Sequence, residues 1–191
     1  MQAQRQHGTE QAQETALAPH CVERFLQAGT EEAFDPLCRL LSPQLMRYFL
    51  VRGCENAAAE ELTQDVLFIV FRQAATVRDR ALFRGWVFKI AKNALLQRWR
   101  KASRTVAFLA LDGMGPHPPE AIVMPATPDS DFGGLIAGLV PEDREILTLR
   151  YVDGLDYREI SAALGIPVGT AKWRVFNSKL KLSVQLRKGA R

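Results

Sequence analysis

Residues 157–178 read YREISAALGIPVGTAKWRVFNS, and this stretch decides the fold. Tyr157 to Leu164 is a short amphipathic segment, Gly165 to Pro167 is a tight break, and from Val168 helical spacing runs on to about Leu186. Two helices meeting at so tight a turn need small residues where they cross, a glycine able to take positive φ, and an inward stripe that fixes the second helix. Ser161, Gly165 and Ala171 fit the first two needs, and Ile160, Leu164 and Val175 form the stripe. Left outward on the second helix are Lys172, Trp173, Arg174, Asn177, Ser178 and Lys181. These residue types bind phosphates and donate or accept at base edges in a major groove. The same spacing also fits a plain two-helix corner with a solvated basic face, and Trp173 suits a core contact as well as a base contact.

Upstream, Pro141 stands at a helix start, followed by Glu142 and Asp143, which suit the positive end of a helix dipole. Between Leu111 and Asp131 the helical pattern collapses into Gly113, Gly115, Pro116, Pro118, Pro119, Pro125 and Pro128. Prolines remove backbone donors and favour extended chain, so this stretch reads as a linker. From about Cys21 to Ser103 apolar residues recur at helical spacing, as in Phe34, Leu37, Leu40, Leu41, Leu45, Tyr48 and Phe49. Met1 to Ala18 is polar, Gln-rich and poor in large apolar residues. The expected fold is all-α: a leader (1–20), a first small helical domain (21–108), a flexible Pro/Gly-rich linker (109–132) and a second small domain with a helix-turn-helix (133–191). No alternating apolar pattern, internal repeat or glycine-rich phosphate loop points to β-structure or nucleotide binding.

Hydrophobic residues make up 47% of the chain, enough for a packed core. The net charge of +4 is uneven: Lys and Arg crowd between Arg78 and Arg104 and again between Lys172 and Arg191, while Glu55, Glu60, Glu61 and Asp65 lie just upstream of the first crowd. That split suggests two different partners. Phe83 to Arg104 interleaves Phe83, Trp86, Phe88 and Trp99 with Lys89, Lys92, Arg98, Arg100 and Lys101. Single-stranded nucleic acid needs this mixture, because unpaired bases stack on aromatics at about 1–3 kcal/mol each and the backbone must be neutralised. Lys89, Asn93, Gln97 and Arg100 share one helix face, and Val87, Ile90, Ala91, Ala94 and Leu95 form the opposite, inward stripe. Trp86, Phe88 and Trp99 suit a core role equally. Glu60 to Phe71 carries an acidic edge, Glu61, Gln64 and Asp65, which fits a basic protein surface or a solvated helix N-terminus.

Cys21, Cys38 and Cys54 show neither a CxxC spacing nor neighbouring paired histidines, so plain thiols in a reducing cytoplasm are expected, with no metal site and no disulfide. His7, His20 and His117 fall in the leader or the linker, away from paired carboxylates, and no catalytic constellation is visible. A protein that is not an enzyme, uses no cofactor and does not insert into a membrane is expected.

Taken together, residues 59–66 (AEELTQDV) and 83–93 (FRGWVFKIAKN) resemble the second conserved region of extracytoplasmic-function sigma factors of bacterial RNA polymerase. Residues 141–147 (PEDREIL), 149–155 (LRYVDGL), 157–160 (YREI) and 164–172 (LGIPVGTAK) are similar to that family's fourth region, in the right order and after a linker. The resemblance implies a sigma factor that binds core polymerase, directs it to particular promoters and helps open them. It places Glu61, Gln64 and Asp65 on the clamp helices of the largest polymerase subunit, with a further contact at the flap region. It places Phe83, Arg84, Trp86, Lys89, Lys92, Asn93, Gln97 and Arg100 on the single strand of the minus-ten element. Lys172, Trp173, Arg174, Asn177 and Ser178 would read the minus-thirty-five duplex, and a membrane-anchored anti-sigma factor would be a further partner. Trp173 and Ala171 depart from the small residue and the valine usual in the family, so the promoter sequence is not transferable from relatives. The alternative is a free-standing helix-turn-helix regulator, which leaves the acidic and the aromatic-cationic helices without a role.

Overall fold

A computed structural model of the chain describes residues 20–111 and 131–189. All but the last residue of the leader and most of the linker expected from sequence lie outside them. The described residues form eight helices: α1 (20–28), α2 (Glu31–Val51), α3 (Asn56–Gln73), α4 (Phe83–Leu111), α5 (Asp131–Ile136), α6 (Pro141–Tyr151), α7 (Tyr157–Leu164) and α8 (Val168–Gly189). Two short 3-10 turns, Ala74–Thr76 and Arg80–Leu82, connect α3 to α4. Among the described residues there is no strand, and the fold is all-α as the spacing predicts.

Local chemistry sets the boundaries. Gly29 takes φ +63°, and its N–H donates to the Phe25 carbonyl at 2.8 Å, closing α1. Thr30 then caps α2, its hydroxyl accepting from the Ala33 N–H at 3.4 Å, with Glu31 and Glu32 in the first turn. Pro36 and Pro43 lie inside α2, and each removes one intrahelical donor. The helix persists because Phe34, Leu37, Leu41, Leu45 and Tyr48 all bury on one stripe. That stripe shares a core with Leu62, Val66 and Val70 of α3 and with Val87, Phe88, Ala91 and Leu95 of α4. At one end the rings of Phe25, Phe34 and Phe71 cluster, with centroids 4.7–5.9 Å apart.

In the second half, Pro141 is the first residue of α6 and Glu142 and Asp143 fill its first turn, as the sequence predicts. Ile136, Leu139 and Leu147 form a small core with Phe132 and Leu182, which ties α5 and α6 to α8. The two halves also pack on each other. The most extensive helix–helix contact joins α4 to α7. One continuous core runs from Phe83, Val87 and Phe88 to Ile146, Leu149, Leu155, Ile160 and Leu164.

Candidate nucleic-acid interface

The helix-turn-helix is built by α7 and α8. Asp156 caps α7 by accepting from the N–H groups of Arg158 (2.7 Å) and Glu159 (2.8 Å), while the Asp156 N–H donates back to Glu159 Oε2 at 2.8 Å. This reciprocal box satisfies donors that the first turn of a helix leaves free. Gly165 ends α7 with φ +68°, and in the same turn Ser161 Oγ donates to the Ile166 carbonyl at 2.6 Å. Ile160, Leu164, Ala171 and Val175 are buried, so the predicted stripe locks α8 against α7.

The outward face of α8 presents Lys172, Trp173 and Arg174, with Trp173 62% exposed and Asn177 half-buried. Ser178 departs from the sequence expectation of an outward residue. It is fully buried and donates to Asp143 Oδ1 at 2.6 Å, while Lys181 Nζ lies 2.6 Å from the other carboxylate oxygen. Ser178 stands seven residues after Ala171 and three after Val175 on the inward stripe, a phase that would have placed it inside. Conversely Phe176, which sequence reasoning left out, is 68% exposed beside Trp173.

On α4, Lys89, Asn93, Gln97 and Arg100 are all exposed and form the polar face predicted from their spacing. The remaining residues singled out on this helix sit differently. Phe83 is buried, with its ring centroid 5.7 Å from that of the half-buried Trp86. Arg84 donates to the backbone carbonyl of Asp153 and to Gln44 Oε1, and Lys92 Nζ donates to the carbonyl of Leu164 at the end of α7. Phe88 is core, whereas Trp99 is partly exposed and stacks under the Arg52 guanidinium, 5.2 Å from the ring centroid.

The acidic edge of α3 is solvent-facing: Glu61, Gln64 and Asp65 are exposed, and Glu61 pairs with Arg98 at 2.7 Å. Phe68, unremarked in the sequence, shares this face one turn further on and is 60% exposed beneath Arg72. An apolar side chain set beside acids suits a protein partner better than a polyanion.

Between the halves, Arg47 and Tyr48 of α2 and Arg52 just beyond its end meet acids of the second half. Tyr48 Oη donates to Glu145 Oε1 at 2.6 Å, Arg52 lies 3.4 Å from Glu142 and 3.6 Å from Glu145, and Arg47 pairs with Asp153 Oδ1 at 2.5 Å. Burial pushes the Asp153 carboxyl above the usual carboxylate range, against the opposing pull of Arg47 and Arg84. Burial likewise raises the Tyr48 phenol, with Glu145 adding to the effect, and raises the Cys38 and Cys54 thiols. Among the described residues no group of three or more His, Cys, Asp or Glu side chains is placed to hold a metal ion, and no helix is long and apolar enough to cross a membrane.

A helix-turn-helix with a basic outward face, coupled to a second basic helix and an acidic helix, defines a DNA-binding transcription protein. Comparison with known proteins is more specific. Residues 37–105 match the family model for sigma-70 region 2 and residues 131–182 that for sigma-70 region 4, which together span more than half of the chain. The chain is 30% identical over 161 residues to the ECF RNA polymerase sigma factor SigE of Mycolicibacterium smegmatis, covering 82% of this chain and 62% of that protein. It is 29% identical to the ECF RNA polymerase sigma factor RpoE of Cereibacter sphaeroides, covering 76% of this chain and 81% of the relative. Among solved structures, the sigma factor RpoE of Bartonella quintana, in complex with the anti-sigma factor NepR, superposes with a TM-score of 0.62 at 25% identity, over 81% of this chain and 96% of that one. CnrH in complex with the cytosolic domain of CnrY shares the fold, with a TM-score of 0.60 at 20% identity over 90% and 97% of the two chains. The chain belongs to the sigma-70 family of RNA polymerase sigma factors, in its extracytoplasmic-function group.

Proposed function

We propose that this chain acts in the cytoplasm as a non-catalytic initiation factor that docks on core RNA polymerase through α3 and reads two promoter elements, one with each half. The observation that carries this reading is the separation of three chemically distinct faces: acidic and apolar on α3, polar and cationic on α4, cationic and aromatic on α8. Glu61, Gln64 and Asp65, joined by Phe68, meet a basic surface of the polymerase clamp, where charge steers the encounter and an apolar anchor slows release. Lys89, Asn93, Gln97 and Arg100 track the single strand of the minus-ten element, with the half-buried Arg84, Trp86 and Lys92 at its edge and the buried Phe83 supporting Trp86 from within. Lys172, Trp173, Arg174 and Asn177 enter the major groove at the minus-thirty-five element, with Phe176 beside them. One structural relative was solved with an anti-sigma factor, which supports the same class of partner here.

The test separates the two reading faces. Arg174→Ala should reduce transcription at a cognate promoter and lose most of its effect when the upstream element is scrambled. Lys89→Ala combined with Arg100→Ala should instead be relieved on a template already melted across the minus-ten element. Equal loss on every template from both sets would refute the assignment of one element to each half.

A further inference from the structure

We infer that Trp173 and Phe176 form an apolar pair that reads thymine methyl groups in the minus-thirty-five duplex, so that this chain selects T·A pairs there by apolar contact as well as by hydrogen bonding. The inference deepens, and rests on, the assignment of α8 to that element proposed above.

Packing within the chain does not account for the pair. Trp173 is 62% and Phe176 68% exposed, although a packed aromatic side chain buries about 150–250 Å². Among the described residues neither ring stacks on another ring or under a cation, and the indole N–H meets no acceptor. Large apolar side chains at these two positions therefore serve something outside the chain.

Their place on α8 indicates what that is. Residues three apart stand side by side on a helix, so Trp173 and Phe176 form one row, and Arg174 and Asn177 form a second row next to it. The aromatic row lies opposite the buried stripe of Ala171, Val175 and Ser178. No acidic residue occurs in α8, and Lys172 and Arg174 flank the row, so a polyanion can approach it. That polyanion must also offer apolar groups. In the major groove every base pair presents hydrogen-bonding groups, but the thymine C5-methyl is the one apolar feature. Cβ atoms three residues apart on a helix are about 5–6 Å from each other, against a rise of ~3.4 Å per base pair, so the two rings suit methyls one or two pairs apart.

The apolar row runs on to Leu180 and Val184, but these line a different surface, a groove shared with Gly138, Leu139 and Val140 in which neither aromatic takes part. The aromatic pair sits instead in the first half of α8, the half from which a helix-turn-helix contacts bases.

Deoxyuridine in place of thymidine removes the methyl and keeps every hydrogen-bonding group, so it tests the inference directly. Holoenzyme made from core RNA polymerase and the full chain would be titrated with a cognate promoter fragment and with the same fragment carrying deoxyuridine on both strands of the minus-thirty-five element. Burying one methyl corresponds to about fourfold in affinity, so the parent should bind the substituted fragment about fourfold more weakly for one methyl in contact and ~15-fold for two. Holoenzyme carrying Trp173→Ala with Phe176→Ala should bind the two fragments alike. Equal binding of both fragments by the parent, which needs no variant to fold, would overturn the inference. So would a double-alanine variant that keeps the parent's full sensitivity to deoxyuridine, or a cognate element without an A·T pair. A fragment with the whole element scrambled separates the two levels: unchanged affinity there would remove α8 from the element, whereas loss on scrambling with none on deoxyuridine would overturn the methyl reading alone. Weaker capture of core polymerase by the double-alanine chain, with no response to deoxyuridine in the parent, would overturn it by giving the pair to a protein surface.

Discussion

Replacing Ser178 by alanine should weaken the second half without altering which promoters are read. Ser178 Oγ donates at 2.6 Å to Asp143 Oδ1, and the serine has no exposure to water. A hydrogen bond to a charged acceptor contributes about 1.5–3 kcal/mol. Lys181 stays on the other carboxylate oxygen, and the Asp143 side chain keeps 13% exposure, so solvent recovers part of the loss. A net destabilisation of about 1–2 kcal/mol follows, around and just below the lower bound of that range. For a chain of this size each kcal/mol moves the melting temperature by roughly 2–4 °C, so Ser178→Ala should melt about 2–8 °C below the parent. Thermal unfolding followed by circular dichroism measures this. Because the partner is Asp143, the same substitution in an Asp143→Ala background should add little. Selectivity among minus-thirty-five variants, measured by transcription at a permissive temperature, should stay that of the parent. An unchanged melting temperature with altered selectivity would refute the reasoning and return Ser178 to the reading face.

Asp156→Ala removes the acceptor for two backbone donors of α7 and should cost about 1–2 kcal/mol in urea unfolding, whereas a loss under about 0.3 kcal/mol would mean the box is idle. The Asp153 carboxyl titrates higher in the fold than in the unfolded chain, so its stabilising contribution is complete below the ordinary carboxylate range and is lost as pH rises through the raised value. The parent should therefore gain stability relative to Asp153→Asn as pH falls from 7 toward 4, and a flat or reversed difference would contradict this. Gln64→Ala with Asp65→Ala should weaken binding to core polymerase several-fold in a pull-down while leaving the melting curve in place, because both side chains are exposed.

Much of this was legible from spacing. The break at Gly165, the stripe of Ile160, Leu164 and Val175, and the polar face of Lys89, Asn93, Gln97 and Arg100 are periodic features, and periodicity survives into any all-helical fold. Spacing identifies an apolar face without saying what covers it. Phe83 and Arg84 look like nucleic-acid contacts in isolation, yet Phe83 joins a core shared by both halves and Arg84 donates to the distant Asp153 carbonyl. Arg47 and Asp153 lie 106 residues apart, and no local pattern announces their pairing. Ser178 was misplaced for a different reason: its residue type outweighed its phase on α8. Pro36 and Pro43 show the converse, since the apolar stripe of α2 prevails over two residues that disfavour helix.

The most direct test of the central claim is run-off transcription on a genomic fragment library, using bacterial core RNA polymerase with and without the full chain. A sigma factor should produce new discrete starts that share two short upstream elements and vanish when the chain is omitted. No stimulation, together with tight binding of the isolated chain to duplex DNA, would contradict the claim and favour a regulator that acts alone.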